Sequence, residues 1–133
     1  MAIYEISVDH AFTASHAVLM PNGQMEKPHR HDWMVMVSFR AGQVDARSGM
    51  VADFLVVKSA LDQVCGLMDA MDLNSLGLLG GDIPTAERVA RFIAEEILRR
   101  HGLEHSLYCV QVTEAVGCRA AFYPWLDEPP CRS

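Results

Sequence analysis

Basic residues are scarce in this chain of 133. Eleven Lys and Arg stand against seventeen Asp and Glu, a formal charge of −6. A chain without a basic face cannot neutralise a phosphate backbone, so a general nucleic-acid partner is excluded. No apolar run approaches the roughly 20 residues that a membrane-spanning helix needs. The four cysteines, Cys65, Cys109, Cys118 and Cys131, form no C-x-x-C pair, and the first residues show no charged-then-apolar leader pattern. Reduced thiols and a cytoplasmic location are the expectation. There is no Walker loop and no G-x-G-x-x-G after a strand; Gly80-Gly81 reads as a turn. Nor is there an internal repeat or a linker, so residues 1–133 read as one domain with a short Pro-rich tail at 125–133.

Half of the residues are apolar and 21% are charged, a balance that supports a buried core and excludes disorder of the whole chain. Alternation predicts a strand from Ile3 to His10 and a cleaner one from His31 to Ala41, with Trp33, Val35, Val37 and Phe39 on one face. Phe54, Val57, Leu61, Val64 and Met68 recur at spacings of three and four, the stripe of a helix with one buried face. A second helix starts at Thr85 as cap, with Glu87 in its first turn, and stops at Arg99-Arg100-His101-Gly102. Leu107–Thr113 and Arg119–Tyr123 complete the set as strands. The order ββααββ predicts an α+β fold: a four-stranded antiparallel sheet with two helices on one face. The other face would be bare, and Met34 and Met36 stand there where charge is expected, which points to an oligomer.

Six histidines are many for so short a chain. His29 and His31 are two apart at the start of a strand, and the period of two puts both imidazoles on one face. Two ligands on one rigid element suit zinc, and His16, just past the first strand, is the candidate third. Three protein ligands leave a fourth position open, the arrangement of a catalytic site. Unrelated surface histidines are the competing reading, since H-x-H alone is a weak signal. His10, His101 and His105 read as a strand-face, a helix-end and a loop residue. Lys27, Arg30, Lys58 and Arg119 are the candidates for an anion pocket.

Six segments in order then resemble one family: F-T-A-S-H (12–16), H-R-H-D-W (29–33), G-M-V-A-D-F (49–54), M-D-A-M-D-L-N (68–74), P-T-A-E (84–87) and V-T-E (112–114). Together they make the chain similar, over nearly its whole length, to the 6-pyruvoyl-tetrahydropterin synthase and 6-carboxytetrahydropterin synthase family. The resemblance implies the tunnelling fold, zinc held by His16, His29 and His31, and a 7,8-dihydropterin substrate with a hydroxylated side chain and a triphosphate. Zinc there acts as a Lewis acid on the side-chain hydroxyls. Glu114 would accept paired hydrogen bonds from the pterin ring, with Thr85 and Glu87 lining the same pocket. A homohexamer of two stacked three-subunit barrels, with sites at subunit seams, is also implied.

The departures are as specific as the matches. The family's catalytic cysteine falls at Met25, whose thioether cannot take a proton, and the histidine of its Asp-His dyad falls at Ala70, leaving Asp69 alone. Arg30 replaces the glycine between the ligand histidines. Glu26, three residues before His29, matches a subgroup that places a glutamate there and cleaves the side chain in an aldolase-like way. The expectation is a zinc-dependent pterin lyase with Glu26 and Asp69 as catalytic residues. A catalytically silent or repurposed pterin or purine-like binder is the alternative, with structural zinc in an oligomeric scaffold as a third.

Overall fold

Alternating apolar and polar residues build two long neighbouring strands, and the rest of the chain packs around them. The computed structural model describes residues 2–102 and 106–125; His105, Cys131 and the tail from 126 onward lie outside the described residues. Strands β1 (Tyr4–His16) and β2 (His29–Ala41) pair antiparallel without interruption, from Tyr4 opposite Ala41 to His16 opposite His29. Helix α1 (Phe54–Gly66), the two-residue strand β3 (Met71–Asp72), helix α2 (Ala86–His101), β4 (Leu107–Ala115) and β5 (Cys118–Phe122) follow. The sheet order is β3-β1-β2-β4-β5.

Val8, Phe12 and Ala14 of β1, Trp33, Val35, Val37 and Phe39 of β2, and Val110 and Val112 of β4 are buried against the helices. From α1 come Val57, Leu61 and Val64; from α2 come Val89, Ile93 and Ile97. Truncating a fully buried member such as Leu61 or Ile93 to alanine costs about 2–5 kcal/mol through lost transfer energy and a residual cavity. Asp53 caps α1 by accepting from the Leu55 N–H. Thr85 caps α2 at the Arg88 N–H, and Gly102 ends that helix in the left-handed region at φ 61°, a conformation that costs a residue with a Cβ. Both helices lie on one sheet face, as the ββααββ pattern predicts. On the other face Met34 is half exposed.

Beyond shifts of a residue or two at the ends of the other strands, three features differ from the sequence expectation. The first strand continues six residues past His10, because Ala11 to His16 each find a partner on β2. That extra length carries His16 into the sheet. The sheet has five strands, since Met71 and Asp72 pair parallel to Ala14 and Ser15. Two residues are too few to leave a periodic signal. Phe54, placed on the buried stripe by its spacing, is exposed at the start of α1. No helix among the described residues is long and apolar enough to cross a membrane.

Candidate metal centre

The β1/β2 register decides the site. His16 lies directly opposite His29, and Ala14 opposite His31, so all three imidazoles share the inward face at one end of the ladder. Glu114 arrives from β4, where the pairing with β5 shifts register between Thr113 and Ala115. Such an irregularity re-aims a side chain at a strand end. Its Oε1 lies 2.6 Å from Nε2 of His16, 3.1 Å from Nε2 of His31 and 3.6 Å from Nε2 of His29. The four donor atoms all fall within 4.8 Å of one another.

The outer nitrogens show which way the lone pairs point. Nδ1 of His16 lies 2.7 Å from the Pro84 carbonyl, which only accepts, so the proton sits on Nδ1 and the Nε2 lone pair faces the centre. Nδ1 of His29 has two acceptors beside it, the Lys27 carbonyl and Oε1 of Glu26, both at 3.3 Å. This is the outer-shell pattern that orients metal-binding imidazoles. Nε2 of His31 is buried without a hydrogen bond. Burial first, then the charge of His29, pushes the His31 imidazole below its ordinary value, which favours the neutral form that coordinates a cation. Nε2 of His16 and Oε1 of Glu114 are both acceptors in these states, and at 2.6 Å they need a proton or a cation between them. The three imidazoles present therefore fit a zinc ion, with the Glu114 carboxylate beside them as compensating charge.

Trp33 closes the inner wall. Its ring meets those of His16 and His31 edge-on at centroid distances of 4.8 and 6.1 Å, stacks on Phe12, and donates from Nε1 to the Ala14 carbonyl. The H-x-H-x-W alternation carries that signal, because it puts Trp33 on the face of His31. Asn74 braces the chain just beyond His16: Oδ1 accepts from the Ala17 N–H at 2.7 Å and Nδ2 donates to the Ala17 carbonyl at 2.9 Å. Neither role, nor that of the Pro84 carbonyl, is apparent from residue type alone.

A cleft of about 490 Å³ opens beside Glu114, lined by Val18, Leu19, Ile83, Thr85, Glu87 and Arg88 among others. The structure thus brings Thr85, Glu87 and Glu114 to one space. Glu26 lies at the rim of the metal group on the 18–26 hairpin, where its Oε1 accepts from the Val18 N–H at 3.0 Å. Asp69 stands apart. Its Oδ1 accepts from the Thr13 N–H, and the Ala70 N–H donates to the Thr13 carbonyl, so both serve the outer edge of β1. Arg30 lies on the opposite face from the ligand histidines, in a depression with Ser15, Ala70 and Asp72, away from the cleft. Lys27, Arg30, Lys58 and Arg119 do not converge within the subunit: they occupy the hairpin, that depression, the exposed side of α1 and β5.

The profile of the family described as 6-pyruvoyl tetrahydropterin synthase matches residues 5–124. The chain belongs to this family. Membership in the 6-pyruvoyl tetrahydropterin synthase family ties the chain to pterin chemistry and to the tunnelling fold. Among solved structures, the Caenorhabditis elegans 6-pyruvoyl tetrahydropterin synthase superposes with a TM-score of 0.79 at 22% identity, over 92% of this chain and 96% of that one. The Plasmodium falciparum synthase gives 0.72 at 16% identity, over 95% and 100% of the two chains. A Plasmodium vivax synthase carrying a catalytic-residue change from glutamate to alanine gives 0.70 at 16% identity, over 92% and 98%. Identities this low speak for the fold alone. Comparison with curated protein sequences gave no significant match.

Proposed function

We propose that the protein is a zinc-dependent lyase acting on the side chain of 7,8-dihydroneopterin triphosphate or a related pterin. The observation that carries this reading is the convergence of three imidazoles and Glu114 at the mouth of the cleft that Thr85 and Glu87 line. His16, His29 and His31 would hold the metal, which when bound supplies Lewis acidity toward side-chain hydroxyls. Glu114 would take paired hydrogen bonds from the amino and ring N–H donors of the pterin, fixing the heterocycle in the cleft. Val18, Leu19 and Ile83 give that cleft apolar walls.

Glu26 is the proposed proton acceptor. Its Oε1 is occupied by the Val18 N–H and lies beside His29, while Oε2 makes no hydrogen bond among the described residues. A carboxylate held this way keeps one oxygen for a substrate proton. Asp69 is proposed as a second catalytic group, reaching a site across a subunit seam, because its own edge of β1 is remote from the cleft. A homohexamer fits the uncovered sheet face bearing Met34, and a reducing cytoplasm fits the free thiols of Cys65, Cys109 and Cys118 among the described residues.

The test is incubation of the zinc-loaded protein with 7,8-dihydroneopterin triphosphate, followed by chromatography of the products. A zinc-dependent product that disappears in Glu26→Gln is expected. Pterin binding that Glu114→Gln abolishes, without any turnover, would replace the lyase with a binding protein. The substitutions Met25 and Ala70 at the family's proton-relay positions favour that second reading. Light scattering on the purified protein checks the assembly.

A further inference from the structure

The acidic side of the cleft has one basic counterpart. Four arginines lie on α2, and three are ion-paired along the helix: Arg91 with Glu95, and Arg99 and Arg100 with Glu96. Arg88 has no carboxylate partner among the described residues. Its side chain turns back toward the helix start, where Nη1 donates to the Ile83 carbonyl at 3.1 Å. Ile83, Arg88 and Glu114 border the same cleft. A guanidinium has five N–H donors, and the bond to Ile83 uses one. The side chain borders this cleft, whose other charged residues, Glu87 and Glu114, only accept, and also a neighbouring depression with Asp82 and Glu95.

The geometry points to Arg88 as a specificity-determining residue that donates hydrogen bonds to a carbonyl oxygen on the heterocycle whose N–H donors Glu114 reads. This rests on the pterin reading of the cleft. The carboxylate reads the 2-amino and N3–H donors, and a 4-amino ring, whose N3 carries no hydrogen, already loses one of that pair. A fixed donor in the same cleft adds to that selection, because an amino group in place of the carbonyl leaves the guanidinium facing another donor. The Ile83 bond holds the guanidinium in place before the ligand arrives. The ligand class is a 2-amino-4-oxo fused heterocycle, with the 2,4-diamino analogues disfavoured.

Titration calorimetry of the zinc-loaded protein with pterin and with 2,4-diaminopteridine, for wild type, Arg88→Ala and Arg88→Lys, tests the assignment. Arg88→Ala is expected to weaken pterin at least tenfold, to change 2,4-diaminopteridine less than twofold, and to keep the wild-type melting temperature. Arg88→Lys should restore part of the pterin affinity. Equal losses for both ligands would make Arg88 a brace for residues 83–85 and overturn the assignment. An unchanged pterin affinity would overturn it as well. A wild-type protein that binds neither compound would sink the pterin reading itself, and the Arg88 assignment with it.

Discussion

His16 and Pro84 are joined by a 2.7 Å hydrogen bond from Nδ1 to the backbone carbonyl, which ties the end of β1 to the segment that caps α2. One buried imidazole thus serves the fold on one edge and the metal centre on the other. His31 serves only the centre, since its Nε2 has no hydrogen bond of its own.

The two histidines should therefore respond differently to truncation. His16→Ala leaves the Pro84 carbonyl unsatisfied and a cavity beside Trp33, so it is expected to lose zinc and also about 2–4 kcal/mol of stability. His31→Ala should lose zinc with little change in stability. Metal analysis by mass spectrometry and urea unfolding of the chelated proteins separate the two effects.

Chelation should leave the fold standing. Among the described residues the core is built from aliphatic and aromatic side chains of both helices and four strands, and the metal group sits at one end of it. A chelator is expected to lower the melting temperature by a few degrees, as removal of a bound ligand does, and to leave the far-UV circular dichroism unchanged. Collapse of that spectrum would mark the metal as structural.

Asn74→Ala removes both hydrogen bonds to the Ala17 peptide and frees the chain immediately after His16. A loss of about 2 kcal/mol is expected from the two bonds together. Zinc affinity should fall as well, by about tenfold, because outer supports orient metal-binding side chains. Asn74→Asp retains the bond from the Ala17 N–H and should recover part of both losses.

Burial, followed by the charges of Asp62 and Asp69, pushes the Cys65 thiol up to about 12. In the unfolded chain the same thiol ionises near 8.5. Between those values the unfolded state has released a proton that the folded state still holds, so stability falls as pH rises through that window. Unfolding at pH 8 and pH 10 should show the decline, and Cys65→Ala should flatten Cys65's share of it. At pH 8 iodoacetamide should label the exposed Cys118 while sparing Cys65, as peptide mapping would show.

Much of this was legible in residue order. The alternation around Trp33 and the three-four spacing around Leu61 gave the layers, and the H-x-H pair gave two of the four side chains that cluster. What the sequence hid depends on pairing at a distance. The extension of β1 to His16 comes from its ladder with β2, since A-F-T-A-S-H has no clear period. Glu114 reads as a pterin anchor from the V-T-E match, yet its approach to three imidazoles follows from a register shift against β5 that no local pattern marks. Arg30, named among the candidates for an anion pocket, shows the converse: the same period of two that joins His29 and His31 puts it on the far face.

The pairing of His16 with His29 closes the intervening segment 17–28 as a loop whose two ends are fixed. Its length and content can vary at small entropic cost without displacing either ligand. Glu26 and Met25 both belong to that loop, whereas the histidines and Glu114 belong to the ladder. The proposed proton acceptor is thus interchangeable hardware on a permanent mount, and grafting a different 17–28 segment offers a way to vary the proposed reaction while keeping the three imidazoles in place.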